Sequence, residues 1–147
     1  MFMGEFNHSI DAKGRLILPS RFRDELGEKC VITKGYEGCL NVYTEEEWQK
    51  FVDSLSSLSP HNVNARRVLR IFSSGAVTCE PDKQGRVIVP QVLREFAGMD
   101  GEKKDVVVVG SFTKIEVWSA ERWKEYNEGD DALTLEQAGA SLAEMGL

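Results

Sequence analysis

Short apolar stretches, the first of them alternating with polar residues and the others bounded by turn residues, predict that the chain is built mainly of β-strands. Phe6, His8 and Ile10 alternate with polar neighbours, which is the period of a strand with one buried face. The next apolar stretch, residues 15–18, ends at Pro19, which has no backbone N–H to offer a neighbouring strand. We therefore expect two strands joined by a tight turn near the start of the chain.

Helix and turn signals predict the remaining elements of the first half. Ser20 is suited to cap a short helix that ends before Gly27, and residues 30–33 and 40–43 then form a pair of strands. Thr44-Glu-Glu-Glu47 fits a capping box at the start of a longer helix. The apolar stripe of that helix consists of Trp48, Phe51, Val52 and Leu55. This order of elements indicates an α+β, mainly β, fold with short helices.

The pattern of the first half occurs a second time. Residues 11–23 and 82–94 are identical at six of thirteen positions and lie 71 residues apart. A second block, residues 31–48, matches residues 106–123 at an offset of 75. The change of offset predicts four extra residues in the second copy, in the polar loop at 98–105. Two matching blocks in the same order indicate an internal duplication.

The duplication predicts the domain organisation. We expect a first repeat at 5–48, a helical connector at 49–75, a second repeat at 76–122, and a C-terminal helix with an acidic tail at 123–147. Each repeat has about 45 residues, close to the size below which a chain seldom folds alone. The two repeats should therefore share one core. Within the connector, Ser59-Pro60 is the predicted start of the helix.

Charge is distributed unevenly along the chain. The net charge is −6, but residues 127–147 hold five acidic residues and no Lys or Arg, so the preceding 126 residues carry only −1. The body can therefore still present a local basic patch to an anionic partner. The acidic tail is either a solubilising, poorly ordered end or a short helix that packs on the body or on another subunit. Its residues at helical spacing are Leu135, Ala138, Leu142 and Met145.

The candidate site is an Asp-x-x-x-Arg pattern in the first turn of each repeat. The two turns contribute Asp11, Lys13, Gly14, Arg15, Asp82, Lys83, Gly85 and Arg86. An aspartate and a glycine can shape the turn, and a guanidinium held at its tip can grip phosphate or a guanine edge. The alternative is that the pattern is only turn chemistry with a hairpin salt bridge. Duplication of the arginine favours function, because the turn needs Asp and Gly but has no evident need of Arg.

Other charged and aromatic residues are weaker candidates. Three arginines near the first hairpins either contact phosphate or form salt bridges between subunits: Arg21, Arg23 and Arg94. The connector adds a basic helix face, for which solvation is the simpler explanation: Arg66, Arg67 and Arg70. Trp48 and Trp123 occupy matched positions in the two repeats, which favours core packing over base stacking.

Several classes of protein are disfavoured. His8 and His61 have no companions at ligand spacing, so we expect no metal, and no clustered nucleophile, base or phosphate loop indicates an enzyme, a cofactor or a small-molecule substrate. No apolar stretch is long enough to cross a membrane, and the first residues do not resemble a secretion signal. Three cysteines without a Cys-x-x-Cys pattern favour a reducing compartment, and hence the cytoplasm.

The paired Asp11-Ala-Lys-Gly-Arg15 and Asp82-Lys-Gln-Gly-Arg86 turns, each followed by Ile, Pro and Arg, resemble the MraZ family of transcriptional regulators, which carry two SpoVT/AbrB-like domains. The resemblance covers about residues 4–126. It implies a tandem, pseudo-symmetric swapped-hairpin β-barrel of the double-ψ type, ring-shaped homo-oligomers, and binding to repeated boxes upstream of the cell-division and cell-wall gene cluster. It also implies that Arg15 and Arg86 read the DNA. One departure is Pro81 directly before the second aspartate. It removes a backbone donor, so we expect the strand geometry of the second hairpin to differ from that of the first.

Two functional hypotheses follow. The first is a sequence-specific, nucleoid-associated transcription regulator that binds double-stranded DNA as an oligomer, with Lys13, Arg15, Lys83 and Arg86 as DNA-binding residues and Asp11, Gly14, Asp82 and Gly85 as supports of the turns. The second is a protein–protein assembly module without a nucleic-acid partner, which the near-neutral body and acidic tail favour slightly.

Overall fold

Eight strands in one sheet and six α-helices make up the fold in a computed structural model that describes all 147 residues. The strands are β1 Glu5–Ile10, β2 Arg15–Ile17, β3 Cys30–Lys34, β4 Leu40–Thr44, β5 Val77–Cys79, β6 Arg86–Ile88, β7 Lys104–Ser111 and β8 Lys114–Ser119. The helices are α1 Ser20–Leu26, α2 Glu45–Leu55, α3 Val63–Ser74, α4 Gln91–Phe96, α5 Ala120–Glu128 and α6 Leu135–Glu144. None of the helices has the length and apolar character needed to cross a membrane.

The two halves of the chain exchange strands. The sheet order is β5-β3-β4-β8-β7-β1-β2-β6, so the first strand of each half pairs with a strand of the other half: β1 with β7 and β5 with β3. The second strands, β2 and β6, pair with each other across the pseudo-two-fold axis. The result is a mainly antiparallel, nearly closed barrel, which confirms the predicted tandem swapped-hairpin architecture.

The barrel is open between β5 and β6. In the first half, Ile10 of β1 pairs with Leu16 of β2, but the equivalent Pro81 forms no such pair and β5 ends already at Cys79. Proline has no backbone N–H to donate to a neighbouring strand, and β5 ends two residues before the position equivalent to Ile10. The proline before the second aspartate therefore affects the strand that precedes the second turn.

A single hydrophobic core joins the two halves. Its 19 buried residues come from both repeats and include matched pairs. These pairs are Leu16 with Val87, Leu18 with Val89, and Phe22 with Leu93. The shared core lets two units of this size bury apolar surface together, which chains of about 45 residues seldom do sufficiently alone.

The ends of several helices differ from the sequence prediction. Ser20 is the first residue of α1 and not its cap, and the preceding Pro19 offers no side-chain acceptor. The connector helix starts at Val63 and not at Pro60, because the Asn62 side chain accepts a hydrogen bond from the Ala65 N–H at 3.1 Å. Thr44 caps α2 through its hydroxyl alone, without the reciprocal glutamate bond.

The acidic tail contains a complete capping box. The Thr134 hydroxyl accepts from the Gln137 N–H, and the Gln137 side chain accepts from the Thr134 N–H. The tail therefore forms a helix, which is one of the two states that its sequence predicts. None of the helix residues is buried, and Leu135 and Leu142 of the helix and Met145 at its C-terminal end are all exposed.

Candidate nucleic-acid interface

One aspartate organises the first turn. The Asp11 carboxylate accepts hydrogen bonds through Oδ1 from the N–H groups of Lys13 at 3.0 Å and Arg15 at 2.9 Å. Its second oxygen, Oδ2, accepts from the Arg15 Nε–H at 2.7 Å. Gly14, at φ +82°, closes the turn by donating its N–H to the Asp11 carbonyl. Neighbouring residues therefore fix both the conformation of the turn and the position of the Arg15 Nε atom.

The second turn repeats this geometry. Asp82 Oδ1 accepts from the N–H groups of Gln84 and Arg86, both at 2.9 Å, and Oδ2 accepts from the Arg86 Nε–H at 2.8 Å. The lysines, however, are not equivalent. Lys13 donates its backbone N–H to the turn aspartate, whereas in the second turn Gln84 has that role and the exposed Lys83 lies one position earlier.

Each turn is held in place by the opposite half of the chain. The Gly85 carbonyl accepts a hydrogen bond from the Leu18 N–H at 2.9 Å, and the Gly14 carbonyl accepts from the Val89 N–H at 2.8 Å. Both carbonyls therefore form backbone bonds across the pseudo-two-fold axis. The position of one turn relative to the other is fixed by these bonds and by the pairing of β2 with β6.

Arg23 and Arg94 form contacts within the chain. Their positions in the sequence suggest only phosphate contacts or salt bridges between subunits for these two residues. Arg23 donates its Nε–H to the Leu18 carbonyl and lies against Gly85, while Arg94 donates to the Val89 carbonyl and lies against Gly14. Each arginine thus packs against the turn of the other repeat. The sequence signal for this packing role was that the last residue of the duplicated thirteen-residue block is arginine in both copies.

The outer face of β2 and β6 carries both site arginines. Leu16 and Val87 pair with each other and point into the core, so the residues on either side of them face outward. In this two-stranded ribbon Arg15 lies opposite Ile88, and Ile17 lies opposite Arg86. Both arginines are predicted site residues, and the structure brings them together on one surface.

The guanidinium groups remain accessible. The Arg15 side chain is 37% exposed and the Arg86 side chain 32% exposed, and their aspartate partners are also at the surface. Only the Nε atom of each arginine bonds to the turn, so Nη1 and Nη2 form no hydrogen bond within the chain. Each arginine therefore keeps the two nitrogens with which it can bind a planar acceptor pair.

Backbone hydrogen bonds stabilise the charged form of both aspartates. The N–H of Arg15 lowers the pKa of Asp11 below its ordinary value of 3.8, and the N–H of Arg86 does the same to the pKa of Asp82; the guanidinium groups lower both further. Because the carboxyl pKa is lower in the folded protein than in the unfolded chain, ionised Asp11 and Asp82 stabilise the fold at pH values above 3.8. This stabilisation is lost as the pH falls through the pKa of the folded state.

We expect an acid-dependent difference between the wild type and the double variant Asp11→Asn, Asp82→Asn. Asparagine keeps an oxygen for the backbone N–H groups but removes the charge. The melting temperature of the wild type should exceed that of the variant at about pH 6, and the gap should narrow below about pH 4 as the carboxylates become protonated. Thermal denaturation at a series of pH values measures this, and a gap that stays constant down to about pH 2 would contradict the charge-based stabilisation.

No group of three or more His, Cys, Asp or Glu side chains is placed to hold a metal ion.

The barrel, the exchanged first strands and the twin turns together define a protein with two SpoVT/AbrB-type repeats in one chain.

Comparison with known proteins identifies the family. The sequence model of a family described as "MraZ protein, putative antitoxin-like" matches residues 1–71 and again residues 72–144. The transcriptional regulator MraZ of Lachnoclostridium phytofermentans is 53% identical over 147 residues, which cover 100% of this chain and 99% of that protein. The chain belongs to the MraZ family.

Further relatives agree with this assignment. The transcriptional regulator MraZ of Alkaliphilus metalliredigens is 46% identical over the full length of both chains, and that of Moorella thermoacetica is 53% identical over 126 residues, 86% of each chain. Among solved structures, the solution structure of PHS018 from Pyrococcus horikoshii is 16% identical and covers 81% of this chain and 92% of that one, with a TM-score of 0.32. A score at that level does not establish a shared fold.

Proposed function

We propose that this protein regulates transcription by binding double-stranded DNA through the outer face of β2 and β6 and the two adjoining turns. The observation that supports this most directly is the pair of arginines, Arg15 and Arg86, each anchored through Nε and each with two free nitrogens on one ribbon. The major groove of DNA admits a two-stranded β-ribbon, and a guanidinium binds the O6 and N7 atoms of guanine bidentately. The relatives named as transcriptional regulators support the same function.

The turns supply the sequence-independent part of the proposed interaction. Lys13 and Lys83 are exposed beside the two arginines, where their ammonium groups can neutralise phosphates. Asp11, Gly14, Asp82 and Gly85 support the turns and do not touch the DNA.

A single chain offers only a few contacts with DNA, so tight binding requires several subunits on repeated boxes, in the ring-shaped homo-oligomer that the family resemblance implies. The proposed target is the upstream region of the cell-division and cell-wall genes, which places the protein at the nucleoid in the cytoplasm.

The salt dependence of binding tests this function. The upstream fragment is a piece of DNA from the region upstream of the cell-division and cell-wall genes. If each chain neutralises about four phosphates, the affinity for this fragment should fall about 100-fold between about 50 and about 200 mM salt. Fluorescence anisotropy with a labelled fragment measures the slope, and a scrambled fragment of equal length shows how much of the affinity is specific. Affinity that does not change with salt, or that is equal on both fragments, would contradict the proposal.

The exposed face of α6 favours a second candidate, a protein–protein assembly module. Leu135 and Leu142 on this helix and Met145 directly after it are exposed apolar residues within an acidic segment. Association through such a face would be nearly independent of salt, because apolar contacts are not screened by ions. Salt-independent self-association without DNA binding, detected by light scattering over the same salt series, would favour this candidate.

A further inference from the structure

Two isoleucines lie exposed between the candidate DNA-contacting arginines. Ile17 is 43% exposed and Ile88 is 65% exposed, and both lie on the outer face of the β2–β6 ribbon. Ile88 lies directly opposite Arg15 and Ile17 lies directly opposite Arg86. Side chains that face each other across antiparallel strands have Cβ atoms about 5 Å apart. Each guanidinium is therefore accompanied by one apolar side chain on the same surface.

The fold does not require apolar residues at these two positions. The inward-facing partners, Leu16 and Val87, are almost completely buried and provide the packing. On a strand with one face in water, alternation predicts polar side chains at the outward positions. Ile17 and Ile88 are equivalent positions of the two repeats, so both halves depart from this pattern in the same way. Arg15 and Arg86 are equivalent in the same sense.

A partner for this surface must offer an apolar group beside a pair of hydrogen-bond acceptors. The major groove presents one apolar group, the 5-methyl of thymine, and guanine presents the acceptor pair that arginine binds. Successive base pairs are stacked closely enough for one Arg–Ile pair to reach a guanine and a thymine in adjoining pairs. The flanking turns carry exposed lysines, which fit the phosphates on either side.

We propose that Ile17 and Ile88 are specificity-determining residues that contact thymine 5-methyl groups next to the guanines bound by Arg86 and Arg15. The inference rests on the proposed function and adds to it a second kind of base contact. It assigns to the ribbon a preference for guanine with a neighbouring thymine, in place of guanine alone.

Deoxyuridine in place of thymidine tests this interaction, because it removes only the 5-methyl group. Two versions of the upstream fragment, one with thymine and one with uracil at every thymine position, are compared by anisotropy. The wild type should bind the uracil fragment about four-fold more weakly for each methyl group that an isoleucine would otherwise cover. The double variant Ile17→Ala, Ile88→Ala should bind the thymine fragment more weakly than the wild type does and should bind the two fragments equally.

A matched control separates methyl recognition from altered DNA shape and from a general reduction of apolar surface. Val63 and Ile71 are similarly exposed on α3, away from the ribbon, so the variant Val63→Ala, Ile71→Ala should keep the full uracil penalty. The proposal is overturned if the wild type binds both fragments equally, or if the ribbon variant keeps the penalty of the wild type. Absence of binding by the wild type to either fragment would instead overturn the proposed function, and this inference with it.

Discussion

Simultaneous replacement of Arg15 and Arg86 by alanine is expected to abolish sequence-specific DNA binding. Each bidentate guanine contact contributes about 1–3 kcal/mol of discrimination, so removal of two per chain lowers specific affinity by a factor of about 30 or more, and further in an oligomer. The weaker, salt-dependent binding to phosphate should persist through Lys13 and Lys83. Gel-shift titration on the upstream fragment and on a scrambled fragment measures the two components separately.

The fold should survive this double replacement. Both arginines are at the surface, where a salt bridge contributes little to stability, and the aspartates keep their backbone hydrogen bonds. The matched control is Arg67→Ala with Arg70→Ala, which changes the net charge equally on the exposed face of α3. That control should retain the specific gel shift. Specific binding by the Arg15, Arg86 variant at wild-type affinity would disprove the assignment of the site.

Gly14→Ala is expected to destabilise the protein strongly. Gly14 has φ +82°, and a Cβ atom there would lie 2.8 Å from the Val89 carbonyl oxygen and 2.9 Å from Arg94 Nε. That oxygen belongs to the backbone of the other half, whose Val89 N–H also donates to the Gly14 carbonyl. Positive φ and steric overlap together should cost about 2–4 kcal/mol, equivalent to roughly 5–15 °C in melting temperature.

The control for this substitution is Gly101→Ala. Gly101 also has positive φ, +94°, but a Cβ atom there would meet nothing within 4 Å. It should therefore show only the cost of the backbone conformation, about 1 kcal/mol. Differential scanning calorimetry of the two variants measures the difference. Equal decreases in stability would show that the turn is not braced by the opposite half of the chain.

Local pattern was sufficient to predict most of the secondary structure and the residues of the candidate site. Alternation located the first strand, and short apolar stretches bounded by turn residues located the others. The duplicated Asp-x-x-Gly-Arg spacing located both turns, because an Asp–backbone turn forms from neighbouring residues alone. The predicted helix starts at Ser20 and Pro60 were wrong in detail. Helix α1 already includes Ser20 and follows Pro19 without a side-chain cap, whereas α3 begins at Val63 because Asn62 accepts a hydrogen bond from the Ala65 N–H.

The amino-acid sequence by itself determined the two turns, their arginines and the need for a common core. The tertiary structure alone decided how these parts are arranged. The exchange of β1 and β5, the bracing of each turn by Arg23 or Arg94, and the pairing of each site arginine with an isoleucine across the ribbon join residues from opposite halves of the chain. Such contacts depend on the register between strands. Burial of the Leu16–Val87 pair selects this register, which the local pattern of either half does not contain.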